Sequence, residues 1–388
     1  MNPRQEFEDR LAATLVELRG AGLRRQMRLP VGIDLVSNDY LGLAEHPYLT
    51  DAMRAALAEL PAGSGGSRLL RGHHEIFEII EEQLTSFSGA ESALLFGSGY
   101  AANIGLLQAI VAPDDLIVSD ERNHASLIDG IRLTKATTAI YPHQDLHALE
   151  AALRKPRKGR AVVITESVFS MDGDLTPLRD VCEIAEREGA VVVVDEAHAT
   201  GMYGGQGSGR VEELGLRDRV VATMHTGGKA LGSGGAWVAG SRALRDVMVN
   251  KARAFIFSTA PLPVLGVALS AGLYLVEREP ERRREVHRKS ALLRGALRDA
   301  GVETGGESMI VPIMAGANEA AIALQSGVMA AGFDVRAIRP PSVPPGTARL
   351  RVTVRYPVSD RDLLRFASEV ARLTHSVKIG SDPIVTNR

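Results

Sequence analysis

Two rhythms of apolar and polar positions run along this chain. Between residues 75 and 240, short apolar runs alternate with stretches whose apolar side chains recur every three or four positions. The short runs read as strands at 92–96, 116–119, 161–165, 190–195, 220–224 and 237–239. The longer stretches predict helices at 76–87, 101–110 and 178–187, with another after His124. Runs that are apolar throughout fit strands covered on both faces, and strands alternating with helices imply a largely parallel sheet between helical layers. Right-handed crossovers then gather the loops that follow the strands along one rim.

Either side of this block the rhythm differs. Phe7, Leu11, Leu15 and Leu18 stand at helical spacing and predict an amphipathic helix over 4–19. A short strand at 33–37, a turn-rich SNDYLG at 37–42, a helix at 48–60 and a glycine–serine loop at 63–68 follow. Past residue 277 a charged helix at 281–300 leads to strands at 309–313, 335–338 and 350–354 and helices at 319–331 and 360–373. The arginine run of that first helix reads as a solvated face. The expected organisation is an N-terminal helix and arm (1–44), a large domain (45–276) and a small C-terminal α+β domain (277–388), with a frayed tail at 379–388.

Composition narrows the classes. A chain of 388 residues has room for two domains, and 45% hydrophobic with 24% charged residues is the balance of a soluble globular protein. A net charge of -2 offers nothing to a polyanion, so no nucleic-acid partner is expected. Cys182 is the one cysteine, which excludes an intrachain disulfide and a cysteine-rich metal site, and no metal is expected. The N-terminal MNPRQEFEDR lacks the apolar core of a signal peptide, and no apolar run reaches transmembrane length. A cytoplasmic protein without a membrane association is the expectation.

The rim carries the chemistry. The valine strand 190–195 ends in Asp195 and Glu196, with His198 close behind, at the strand end where open α/β sheets bind ligands. Taken alone, a capped turn with a satisfied loop histidine explains that stretch equally well. Ser98-Gly99-Tyr100 precedes a helix, whose free N–H groups suit a phosphate. His124 follows a strand and reads either as a ring-stacking residue or as a loop histidine. Glu166, Ser170 and Asp172 lie in TESVFSMDGD, where Ser170 is a candidate hydrogen-bonding group and Asp172-Gly173 reads as a turn. Lys229 sits among glycines in TGGKALG. A buried, unpaired ammonium is costly, and a partly desolvated one becomes a Schiff-base nucleophile. An aldehyde bearing a phosphate, a phenolic oxygen and a ring nitrogen uses all of these groups, which describes pyridoxal 5'-phosphate (PLP). VVVVDEAH also resembles the Asp-Glu-Ala-His box of helicases, but no G-x-x-x-x-G-K-[ST] loop precedes it.

SNDYLGLA, GSGGSRLLRG, LLFGSGYAAN, NHASLIDG, TESVFSMDGD, VVDEAHATG and TGGKALG together resemble the motifs of the PLP-dependent α-oxoamine synthases, of the fold-type-I aminotransferase-like superfamily. The resemblance covers most of the chain. It implies a large domain with a mainly parallel sheet covered by helices, a smaller C-terminal α+β domain, and decarboxylative condensation of an acyl thioester with an amino acid. IRPPSVPPGTARLR at 338–351 is similar to the biotin-pathway branch, which joins a pimeloyl thioester, on coenzyme A or acyl carrier protein, to L-alanine. The alternative is a sister enzyme using glycine or serine with another acyl thioester. By this resemblance Lys229 is the Schiff-base lysine, Asp195 the partner of the ring nitrogen, and His198 the neighbour of the phenolic oxygen. His124 stacks on the ring and Ser170 lies near it. Gly99, Tyr100 and Thr226 hold the phosphate, helped by Ser258 or Thr259 from a neighbouring subunit, which implies a homodimer with shared active sites. Arg351, or else Arg349, holds the amino-acid carboxylate. Arg25, with Arg24 as the alternative, and Ser342 match substrate-contacting positions.

Overall fold

The computed structural model describes residues 2–379, so the tail at 380–388 lies outside the described residues. Helix α1 (Pro3–Gly20), the two-residue β1 (Ile33–Asp34), α2 (Pro47–Glu59) and α3 (Glu75–Ser88) open the chain. The alternating block runs β2 (Ser92–Phe96), α4 (Gly99–Ile110), β3 (Leu116–Asp120), α5 (Ala125–Thr134), β4 (Thr137–Tyr141), α6 (Leu146–Leu153), β5 (Ala161–Glu166), α7 (Leu178–Arg187) and β6 (Ala190–Asp195). One-turn α8 (Arg210–Glu213), β7 (Ala222–Thr226), β8 (Ala236–Gly240), α9 (Arg242–Lys251), short α10 (Arg253–Ile256) and α11 (Val264–Arg278) complete it.

These strands form one sheet in the order β2-β8-β7-β6-β5-β3-β4. Strands β7, β6, β5, β3 and β4 run parallel, and β8 is antiparallel between β2 and β7. Strands β3 and β5 are buried throughout, and β6 from Val192 onward, as their apolar composition requires. Val162, Ile164 and Val193 pack toward one helical layer with Leu106 and Leu127. Val163, Val192 and Val194 pack toward the other with Leu149 and Val181.

Beyond it, α12 (Pro280–Asp299) leads to β9 (Ile310–Gly316), α13 (Asn318–Ala330), β10 (Phe333–Asp334), β11 (Arg336–Ile338), β12 (Ala348–Thr353) and α14 (Asp360–Ile379). An antiparallel sheet β11-β12-β9 covers a separate core that includes Val311, Leu350, Val352 and Phe366. Pro280 stands at the start of α12, where its missing N–H costs no helical bond.

Several elements differ from the sequence reading. The strand expected at 33–37 shrinks to a pair that joins β10, because Asp34 Oδ1 accepts from the Val36 and Ser37 N–H groups, 2.9 Å each, and turns the chain. The strand expected at 220–224 is shifted to Ala222–Thr226, so His225 and Thr226 pair with Trp237 and Ala236. Strand β4 and helices α6, α9 and α11 were not expected. Helix α1 forms as expected, yet none of its residues is buried, and Phe7, Leu11 and Leu15 stay 45–50% exposed. No described helix is long and apolar enough to cross a membrane.

Candidate active site

The ends of β2, β3, β5, β6 and β7 deliver their residues to one rim. After β2, Ser98 caps α4 by accepting the Ala101 N–H at 3.2 Å. The N–H groups of Gly99 and Tyr100 make no hydrogen bond among the described residues, as expected of a first helical turn. A Cβ on Gly99 would meet Met224 at 3.6 Å and Thr226 Cβ at 4.0 Å, so this helix start lies directly against Thr226. The Thr226 hydroxyl donates to the Gly235 carbonyl at 3.1 Å. The Tyr100 side chain turns away and donates to Asp129.

Behind this, Asp195 is buried at the end of β6, in register with Glu166 on β5. Its Oδ1 accepts the Ala197 N–H and its Oδ2 accepts from Asn103 Nδ2, both at 2.8 Å, so no cation neutralises it by direct contact. Asn103 Nδ2 also donates to Ser126 Oγ at 2.9 Å. Ser126 in turn meets His124, its Oγ 2.8 Å and its N 3.2 Å from Nδ1. Burial pushes Glu166 well above the ordinary carboxylate range, the Asp195 charge adding to this while Lys229 opposes it. Asn103 and Glu166 were missed as site residues by the sequence reading, apart from the position of Glu166 at a strand end. The one asparagine in a largely apolar helix was the available signal.

Lys229 follows β7 in a loop closed by Gly227 N–H to the Gly235 carbonyl, 3.0 Å, and Gly232 N–H to the Lys229 carbonyl, 2.9 Å. Gly232 needs its φ of +62°, and a Cβ there would overlap the backbone of Leu43 and Ala44. The Lys229 amine forms no ion pair or hydrogen bond among the described residues. Burial lowers its ammonium to about 8, against the upward pull of Asp195 and Glu166.

His198 is buried, and its Nδ1 lies 2.5 Å from the Tyr40 hydroxyl. Burial, with the cations Lys229 and Arg351 nearby, keeps it neutral by lowering its pKa far below the ordinary histidine value. Arg351 and Arg349 share one face of β12 but differ in their partners. Arg349 pairs with Asp172. Arg351 is buried and donates to the Ser170 carbonyl (2.5 Å), Thr353 Oγ1 (3.0 Å) and Asn38 Oδ1 (3.0 Å), with no carboxylate among its partners. A buried guanidinium left without a counter-ion is costly unless an anion joins it.

Asp172 is more than the turn residue expected, since it pairs with Arg122 as well as Arg349. Arg25 and Ser342 are brought together, 3.4 Å apart. Ser258 and Thr259 line a small cavity with Arg68, Phe96 and Gly97. Glu196 points away from this cluster: Ser167 Oγ at 2.5 Å and the N–H groups of Arg210 and Val211 hold its carboxylate. His225 stacks on Trp237 with centroids 4.9 Å apart and bonds Thr200 and Thr223, a packing role.

Residues 30–370 match the family model for aminotransferase class I and II. The chain therefore belongs to the aminotransferase class I and II family. Among its relatives, an 8-amino-7-oxononanoate synthase of Geobacter sulfurreducens is 42% identical over 94% of this chain and 97% of that protein. One from Mycolicibacterium smegmatis is 45% identical over 89% of this chain and 91% of that protein. A serine palmitoyltransferase from S. paucimobilis, solved with bound PLP and myriocin, superposes with a TM-score of 0.89 at 26% identity, covering 98% of this chain and 100% of that one. The chain is a PLP-dependent enzyme with the α/β architecture of this family. Its own geometry fits the cofactor. An unpaired amine of lowered pKa, a carboxylate lacking a cation and a helix start with free N–H groups answer to an aldehyde, a protonated ring nitrogen and a phosphate.

Proposed function

We propose that this enzyme condenses a pimeloyl thioester with L-alanine, releasing carbon dioxide and the thiol and forming 8-amino-7-oxononanoate for biotin synthesis. One observation carries the reading: a free amine on Lys229 and an uncompensated carboxylate on Asp195 share one rim, and the uncompensated guanidinium of Arg351 reaches it from β12 through the Ser170 carbonyl. The names of relatives at 42–45% identity support 8-amino-7-oxononanoate as the product.

Lys229 would hold the cofactor through Nζ, and Asp195 would face its ring nitrogen. His198 would lie at its phenolic oxygen, with His124 and Ser170 about the ring. Gly99, Tyr100 and Thr226 would hold the phosphate, with Thr259 of a second copy. When bound, the cofactor withdraws electron density from the amino acid's Cα, so that bonds there can break and form. Lys229 Nζ, freed when the substrate's amine takes its place, takes a proton from Cα and later returns one. Arg351 grips the carboxylate with a planar fork that fixes the orientation of Cα. His124 contacts the acyl carbonyl, and Arg25 and Ser342 contact the acyl substrate.

The exposed apolar stripe of α1, with Met27 and Leu29 also exposed, supports a homodimer in which a second copy covers these residues. The lone cysteine supports a reducing, cytoplasmic setting. The test is to load the purified chain with PLP and to offer alanine, glycine and serine against pimeloyl and longer acyl thioesters. Thiol release with alanine and pimeloyl thioester, and formation of the amino-ketone, are expected. Turnover only with glycine or serine would move the assignment to a sister reaction.

A further inference from the structure

The polar groups behind His124 form a chain whose direction can be read from chemistry alone. It begins at Asp195. An ionised carboxylate only accepts hydrogen bonds, so the Asn103 atom 2.8 Å from Oδ2 must be the amide nitrogen. The opposite amide orientation would set carbonyl oxygen against carboxylate. The same nitrogen lies 2.9 Å from Ser126 Oγ and donates its second hydrogen there. Ser126 Oγ is thereby an acceptor from Asn103, and its own hydrogen is free for its other neighbour, His124 Nδ1, at 2.8 Å. The Ser126 backbone N–H also points at Nδ1, from 3.2 Å, and can only donate. Two donors converge on one nitrogen, so that nitrogen carries no proton.

We propose that Asp195, Asn103 and Ser126 form a directed hydrogen-bond relay that fixes His124 as the Nε2–H tautomer, so that its free edge is a hydrogen-bond donor. Asn103 and Ser126 are positioning residues in this arrangement. Its catalytic consequence rests on the proposed function: the donor edge polarises the acyl carbonyl and does not act as a base toward it.

The surroundings agree. Asn103 and Ser126 are each 1% exposed, so water does not compete for their hydrogen bonds. Asn103 Oδ1 is buried without a partner, a cost accepted so that both amide hydrogens can be used in the relay. His124 Nε2 makes no hydrogen bond among the described residues, and the residue as a whole is exposed. The groups facing the ring are Asp195 on β6, Lys229 after β7, and Tyr100 on α4, whose ring is edge-on at 6.5 Å. Desolvation of the inner edge and the Lys229 charge keep the imidazole neutral, outweighing the pull of Asp195 toward the charged form. A neutral ring is the one for which a tautomer has meaning.

The experiment reads the tautomer directly. Chain labelled with 15N-histidine is studied by long-range proton–nitrogen correlation near neutral pH, without cofactor and again with PLP bound. His124→Asn identifies the signals. The wild-type chain is expected to show an unprotonated Nδ1 and a protonated Nε2 in both states. Ser126→Ala should bring in the Nδ1–H form as a second species. It should also lower kcat about tenfold, with KM for alanine held within about twofold. Ser126→Thr, which keeps a hydroxyl, should restore both. A wild-type ring that is charged or protonated at Nδ1 overturns the inference, and so does an unchanged tautomer in Ser126→Ala. If Ser126→Ala does not fold, the wild-type spectrum alone decides. Because the tautomer is read without substrate, inactivity toward alanine and pimeloyl thioester would overturn the proposed function and leave this result standing. The wrong tautomer in an active enzyme would overturn the relay alone.

Discussion

Replacing Arg351 by methionine separates two arginines that the sequence could not. Both stand on one face of β12, two residues apart, and both are buried. Arg349 already has its anion in Asp172, while Arg351 meets only a carbonyl, an amide oxygen and a hydroxyl. A substrate carboxylate would be the first true counter-ion of Arg351. Charge-assisted hydrogen bonds contribute about 2 kcal/mol, so Arg351→Met should raise KM for L-alanine about thirtyfold. Three hydrogen bonds are lost with the side chain, but an uncompensated buried cation goes with them. The net loss of stability should be only about 1–2 kcal/mol. Arg349→Met leaves Asp172 paired with Arg122 at 2.8 Å and should change KM by less than about threefold. Initial rates of thiol release against alanine concentration give both constants. L-Alaninamide, which lacks the carboxylate charge, should inhibit wild type and Arg351→Met equally. A KM unchanged in Arg351→Met, or raised as much in Arg349→Met, would refute the counter-ion argument.

Two pH dependences follow from the same structure. In the cofactor-free chain, acylation of Lys229 by a small anhydride should rise about tenfold per pH unit and level off above about 8, where an ordinary lysine is still climbing. Peptide mass spectrometry of the labelled site checks this, and a rate still rising toward pH 10 counts against a lowered pKa. His143 lies between Asp120 (2.9 Å) and Asp174 (2.6 Å); although burial opposes its charge, these two carboxylates raise it to about 9. A raised pKa stabilises the fold below the unfolded value of about 6.5, and that stability is lost as pH rises through about 9. Urea unfolding should therefore show a fall of about 2 kcal/mol across that window. His143→Gln should flatten it; an unchanged slope in the variant would assign the dependence to other groups.

What the sequence made legible was local. Val191–Val194 are apolar throughout, a run that predicts burial and finds it from Val192 onward, so the strand and the placement of Asp195 at its end could be read from neighbours in sequence. Lys229 among glycines was legible for the same reason. Strand β4 was not, because Thr137, Thr138 and Ile140 lie exposed on the sheet edge and show no apolar run. The relay was invisible because Asn103 and Asp195 are 92 positions apart and meet only once α4 packs beside the end of β6. The apolar stripe of α1 could be read, whereas its exposure could not: no described part of the chain buries it.

A common physical feature ties the site together. Buried polar atoms without partners among the described residues include Asn103 Oδ1, Asn123 Oδ1, Glu166 Oε1 and Ser233 Oγ, all on segments that build this rim. Each such atom costs about 1–3 kcal/mol in a folded protein. Arg351 without a counter-ion and Lys229 with a lowered pKa belong to the same account of unmet charge. A chain keeps such groups in place only if the surrounding packing over-determines them, and here the two apolar layers against the central sheet do so. On the proposed function, the cofactor at Lys229 and a substrate carboxylate at Arg351 would meet charges that folding left unmet, so the stability of the chain and its affinity for ligand would be coupled through these side chains.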